Sequence, residues 1–371
     1  MSMIITALGS AVPELRISQS AAYEATHQFC CDSDDHRQVM KLIYEGAGVV
    51  ERCTVALNEP VLDGSAAHGF FKERIDPDDR GPTTAERMDR YEEYALDLAV
   101  QSCESALSQA NQDVSEITHL ITVSCTGFHA PGVDIGLIQR LKLPASTLRT
   151  NVGFMGCHGS FNALRVANAF VDANPKAVVL VCSIELCSVH HHYGWSTEKV
   201  VANALFSDGS GAIICRHASA ESAPAKEAYR LVRSESHLVP KTMGAMTWRI
   251  GDHGFEMTLS KKVPALIEEH LNGWMKSFLA KVGLTIETVS GWAIHPGGPK
   301  ILEACLNALK LPQNAVDPSR DILARYGNMS SATVLFLLQK ISRLPVEGPV
   351  VALGFGPGLT IEALLLNTGK K

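Results

Sequence analysis

The chain has 371 residues, a formal net charge of −6, 46% hydrophobic and 19% charged residues. That length holds two domains or one large two-part body with a sizeable core, and the acidic balance argues against a general nucleic-acid or anionic-membrane surface. No apolar run approaches the roughly 18 residues of a membrane span; Met1-Ser2-Met3-Ile4-Ile5-Thr6-Ala7 reads as a first strand without the basic or apolar region of a secretion signal, so the expected location is the cytoplasm.

In chain order, residues 83–110 carry an amphipathic helical pattern, although Thr84 followed by Arg87 is no capping box and marks no sharp start. Residues 117–124 (ITHLITVS) read as a strand, 161–171 as a helix, and 177–182 (AVVLVC) and 211–215 (GAIIC) as strands. The run 216–228, rich in Ala, Ser and charge, reads as a linker. Beyond it, 263–282 is helical, and 289–294 (VSGWAI) and 349–354 (PVVALG) are strands. The alternation predicts an α/β fold. Landmarks recur at nearly one offset: Cys125 and His295 each end a strand, Cys157 and Asn328 each precede a helix, and Val178 and Val350 each begin an apolar run. Two homologous halves follow, 1–220 and 221–371.

The ten cysteines contain no CxxC pair, so neither a zinc ribbon nor a thioredoxin-type site is expected. Cys157 is the one with a chemical setting. It lies between Gly156 and Gly159 at the start of a helix, where the partial positive charge and free N–H groups favour a thiolate. His295 leaves an apolar strand into a Pro-Gly-Gly turn, and Asn328 opens another helix. A pseudo-twofold repeat would bring the three together as nucleophile, imidazole and amide donor. That set suits acyl transfer followed by carbon–carbon bond formation.

At these residues the chain resembles the type III polyketide synthases, the chalcone-synthase-like branch of the thiolase superfamily, in their bacterial form. The motifs are GFMGCHG at 153–159, ALFSDGSGAI at 204–213, WAIHPGGP at 292–299, YGNMSSA at 326–332 and GFGPGLTIE at 354–362. The resemblance implies a five-layered αβαβα thiolase fold working as a homodimer. It implies malonyl-CoA and an acyl-CoA starter as substrates, with no metal and no organic cofactor. Cys157 would carry the acyl chain; His295 would hold it as a thiolate and, with Asn328, bind the malonyl carbonyl. Phe206 matches a gatekeeper position, and Met257 stands where a second gatekeeper is usually Phe. Cys125, His190, Trp248 and Ser330 fall at substrate-cavity positions, and Trp248 replaces a common Gly. The run His190-His191-His192 reads as a polar loop and not as a metal site. The basic residues that usually meet the CoA phosphates are not matched; Arg37, Lys41 and Arg52 are the substitutes on offer. The expected activity is condensation of malonyl-CoA onto an aliphatic or fatty starter, giving alkylpyrone, alkylresorcinol or resorcylic-acid products. The alternatives are a malonyl-primed synthase making a tetrahydroxynaphthalene- or phloroglucinol-type product, a ketoacyl-ACP synthase III-like enzyme, and a non-catalytic thiolase-fold binding subunit.

Overall fold

A computed structural model describes residues 1–60, 69–220 and 228–369. In the first half, β1 (Met3–Ala11) leads to β2 (Arg16–Ser18), α1 (Gln19–Cys30), α2 (Asp34–Glu45) and β3 (Glu51–Cys53). Then come α3 (Thr84–Ala110), β4 (His119–Ser124), α4 (Val133–Leu141), β5 (Leu148–Gly153), α5 (Gly159–Ala173), β6 (Val178–Leu186), α6 (Thr197–Leu205) and β7 (Asp208–His217). The second half holds β8 (Tyr229–Leu238), β9 (Met246–Gly251), β10 (Gly254–Leu259), α7 (Val263–Ala280), β11 (Gly291–Ile294) and α8 (Pro299–Leu309). It ends with α9 (Asp317–Tyr326), α10 (Thr333–Ser342), β12 (Pro349–Gly356) and β13 (Thr360–Thr368).

The strands repeat one topology. In the first half β4 lies parallel to β6, β6 antiparallel to β7, and β7 antiparallel to β1. In the second, β11 lies parallel to β12, β12 antiparallel to β13, and β13 antiparallel to β8. The two sets meet through Ile4–Arg230 and Ile5–Tyr229, giving the order β11-β12-β13-β8-β1-β7-β6-β4-β5.

Side-chain alternation builds the layers. Along β6, Val179 and Val181 join a central core with α5 and α10, while Val178, Leu180 and Cys182 join an outer core with α3 and α4. Along β12, Val350 and Ala352 face the same centre, and Val351 and Leu353 face α7 and α8. Strands buried on both faces read as continuous apolar runs, which is why they stand out in the sequence. The result is helix, sheet, helix pair, sheet, helix: the five-layered thiolase fold. No helix among the described residues is long and apolar enough to cross a membrane.

Two expectations need adjusting. The start of α3 is sharp, one residue earlier than the Thr84 spacing tested: Thr83 caps the helix and Glu86 returns the bond to the Thr83 N–H at 2.7 Å. The linker at 216–228 overlaps the end of β7 at His217, and its centre lies outside the described residues.

Candidate active site

Cys157 occupies the turn between β5 and α5. Gly156 has φ +78° there, and a Cβ on it would overlap Pro357. Glycine is needed on both counts. Burial pushes the Cys157 thiol up to about 12, hydrogen bonds with Ser330 and Asn328 pull it back, and the Glu185 carboxylate raises it further. Ser330 itself has φ +47°, a left-handed conformation uncommon outside glycine. His295 follows β11 and is held by its own N–H on Leu353 O at 2.8 Å. Neither of its buried ring nitrogens has a partner. Burial, then the neighbouring His158, lowers its pKa to about 3. Burial thus works against charge on both the Cys157 thiol and the His295 imidazole.

Asn328 is pinned by its backbone to the residues flanking Phe206, accepting from Ser207 N at 2.9 Å and donating to Leu205 O at 2.9 Å. Its side-chain oxygen accepts from Ser330 N at 2.9 Å, which aims the amide NH2 elsewhere, toward Cys157. Cys157, His295 and Asn328 line one chamber together with Phe206, Met257 and Phe355.

That chamber opens both ways. Outward, through Glu198, Val201, Leu205, Leu259, Gly297 and Ile301, it joins a mouth of about 1400 Å³ counting open solvent. The mouth is walled by Val39, Leu42 and Ile43 of α2 and carries Lys261 and Lys300 on its other rim. Inward, past Cys157, Phe206 and Met257, it joins a cavity of about 580 Å³ counting its opening. Phe206 and Met257 thus stand at the junction, as gatekeepers would.

The inner cavity holds the remaining expected residues: Cys125, His190, Trp248 and Ser330. Trp248 is fixed by its indole N–H on Cys125 O at 2.7 Å. Cys125 accepts the Gly156 N–H on sulfur at 3.0 Å, and burial, then Glu185, pushes its thiol well up. It is held as a thiol in the cavity wall. His190 accepts the Phe255 N–H on Nδ1 at 3.0 Å and donates from Nε2 to Thr126 O at 2.6 Å, so its tautomer is set by its neighbours.

Two residues of this region escaped the sequence reading. Cys187 lines the inner cavity as a further thiol. Glu185 is fully buried at the end of β6, accepting from Cys125 N at 2.9 Å, from the Thr126 hydroxyl at 2.7 Å and from Ser331. The signal was present: one acid in the run VVLVCSIEL. A buried carboxylate with three donors ties the turn after β4 to the segment before α10.

Of the residues considered for CoA phosphates, Arg52 is overturned. It is 1% exposed and donates to the carbonyls of Asn203, Ala204 and Phe206 at 2.6, 2.7 and 3.0 Å. It caps the C-terminus of α6 and so braces the chain at Phe206. Arg37 faces Asp34 at 3.5 Å on exposed α2, and neither it nor Lys41 lines the mouth.

Comparison with known proteins agrees with this geometry. The N-terminal domain of chalcone and stilbene synthases matches residues 2–218, and their C-terminal domain matches residues 230–369. The chain is 31% identical to the alpha-pyrone synthesis polyketide synthase-like Pks18 of Mycobacterium tuberculosis, covering 98% of this chain and 91% of that protein. It is also 31% identical to the 1,3,6,8-tetrahydroxynaphthalene synthase of Streptomyces peucetius, over 98% of this chain and 92% of the other. Among solved structures, PKS-I from the brown alga Ectocarpus siliculosus superposes with a TM-score of 0.90 at 29% identity, covering 99% of this chain and 98% of that one. The C-terminal type III domain of Steely1 from Dictyostelium gives 0.87 at 26% identity, covering both chains fully. With its fold, its paired domains and its full-length relatives in agreement, the chain belongs to the chalcone and stilbene synthase family and is a type III polyketide synthase, an acyltransferase.

Proposed function

We propose that the chain condenses malonyl-CoA repeatedly onto a short aliphatic acyl-CoA starter and releases a small cyclised product of the pyrone type. The observation that carries this reading is the passage from the mouth to Cys157, with the unpartnered His295 imidazole beside it. The Cys157 proton passes to His295 as sulfur attacks the starter thioester; the CoA thiolate leaves and takes that proton. Malonyl-CoA then enters with its thioester oxygen toward Asn328 and His295. Loss of CO2 places negative charge on that oxygen, where two neutral donors stabilise the enolate. The enolate carbon attacks the Cys157 thioester and frees the sulfur. This chemistry needs neither metal nor organic cofactor; the CoA thioesters are substrates.

Chain length is the point at which the cavity narrows the choice. Trp248 lines the inner chamber, and its bulk there leads us to favour a short starter plus a few ketide units over a fatty chain. Lys261 and Lys300 are the cations we assign to the CoA phosphates. Replacing both with Ala should raise KM for malonyl-CoA about fivefold, with the effect shrinking at high salt; an unchanged KM would remove that assignment. We further propose a homodimer formed along β5. The expected setting is the cytoplasm, where thiols stay reduced.

The test of function is incubation with isotope-labelled malonyl-CoA, alone and with acyl-CoA starters from acetyl to stearoyl, read by mass spectrometry. Labelled product with the short starters only is the expected result. Product from malonyl-CoA alone would replace this reading with the malonyl-primed one. Cys157→Ala should lose the covalent acyl adduct while retaining part of the malonyl-CoA decarboxylation, and full condensation by that variant would refute the role of Cys157.

A further inference from the structure

His158 follows the nucleophile directly, and nothing in the proposed chemistry uses it. Its ring is 3% exposed and is engaged at both nitrogens. Nδ1 lies 3.0 Å from Asn162 Oδ1, and Nε2 meets the Thr360 hydroxyl. Asn162 turns its NH2 toward Glu362 Oε1 at 3.5 Å, and Arg165 pairs with the same carboxylate. That orientation makes Nδ1–H the donor to Asn162 and leaves Nε2 to accept from Thr360, whose single hydroxyl proton then goes to the ring in preference to Pro357 O at 3.3 Å. The ring also fills the space over Gly356, where any Cβ would overlap it.

These contacts have one direction in common. Gly156 is pressed on Pro357, and His158 is pressed on Gly356 and bonded to Thr360. Both neighbours of Cys157 are therefore fastened to the same 354–360 loop. The groups facing His158 are Glu362, which favours a charged ring, Arg165, which opposes it more weakly, and His295, whose field it enters. Burial lowers the His158 pKa, consistent with a neutral ring.

We propose that His158 is a positioning residue: its neutral imidazole, strung between Asn162 and Thr360, bolts the Cys157 turn to the 354–360 loop and sets where the sulfur stands relative to His295 and Asn328. The inference rests on Cys157 being the nucleophile. Misplacing a reacting atom by about 1 Å can cost roughly a hundredfold in rate, so the effect should be visible in turnover and in the reactivity of the sulfur itself.

The test measures the iodoacetamide alkylation rate of Cys157 alongside kcat and KM for malonyl-CoA. His158→Phe should lower the alkylation rate and kcat each by about tenfold while KM moves less than about twofold. His158→Gln, whose amide can still reach Thr360, should recover to within about threefold of the parent. Thr360→Val should show the same loss, and adding it to His158→Phe should cost nothing further, because both cut one connection. Unchanged alkylation in both single variants would overturn the proposal, as would a pure KM effect or losses that add. If His158→Phe does not fold, the Gln and Thr360 variants decide alone. Alkylation does not depend on which starter is used. A parent that makes no polyketide would defeat the proposed function, whereas an unaltered Cys157 reactivity would defeat only this inference.

Discussion

Trp248 lines the inner cavity, and its placement is specific. Its N–H is spent on Cys125 O, and its ring meets His190 and Phe255 edge-on, with centroids 5.7 and 6.0 Å away. Trp248→Gly should open the chamber and move products to longer chains and longer accepted starters. Half-buried as it is, its removal should cost about 1–3 kcal/mol of stability, less than a fully buried aromatic. Product masses across a starter series and a denaturation midpoint check both halves; an unaltered product distribution would show that Trp248 does not set chain length. The residues that were legible in the sequence share a reason. Cys157, His295 and Asn328 sit in turns whose glycines and prolines declare them locally. Glu185 was hidden because it sits in an apolar strand and its partners arrive from β4 and from the segment before α10. Arg52 was misread for the same cause: a lone arginine in sequence looks solvated until α6 is folded over it.

Elements were legible where burial on both faces leaves an apolar run. β4, β6, β7, β11 and β12 were visible in this way, though β6 runs on to Leu186 and β7 begins earlier, at Asp208. The hairpin of β9 and β10 was not visible, because its exposed positions break the apolar pattern. β5 was missed for a more useful reason. It is the end strand of the sheet, and its residues Leu148, Arg149, Asn151 and Gly153 are exposed. An edge strand with free backbone groups is a liability unless something covers it. Phe128 at 55%, Leu148 at 62% and Met155 at 38% exposure add apolar surface on or near this strand. In the proposed homodimer a second copy would cover both at once by symmetry. Sedimentation should therefore give twice the 40.0 kDa chain mass. Leu148→Glu with Met155→Glu should drive the mass toward one chain; a parent that sediments as a monomer would sink the proposed dimer.

At the scale of the whole molecule, the two halves bury an unusual set of neutral histidines around one cavity. Burial pushes His190, His192 and His295 each to about 3. Their unfolded values lie near 6.5. Between those limits the unfolded chain binds more protons than the folded one, so stability is complete above pH 6.5 and is lost as pH falls. Each histidine contributes a slope of up to about 1.4 kcal/mol per pH unit. Asp208 works the other way. Burial raises it to about 6, although it accepts from Ser188 N and Val55 N, both at 2.7 Å. His191, on the same cavity, is also lowered well below its ordinary value and adds to the fall, whereas the folded chain takes a proton on Asp208 before the unfolded one does, so below about pH 6 Asp208 offsets about one histidine's slope. The expected curve is nearly flat above pH 7, bends downward through 6.5 and steepens until about pH 5.5, below which Asp208 keeps the slope about one histidine short of the full sum. Urea midpoints at half-unit steps from pH 7.5 to 5 would trace it. His190→Gln, which keeps an amide near Thr126 but cannot ionise, should remove one unit of slope from the upper window. A parent whose midpoint does not move over that range would mean that these histidines, His295 included, accept protons within the fold.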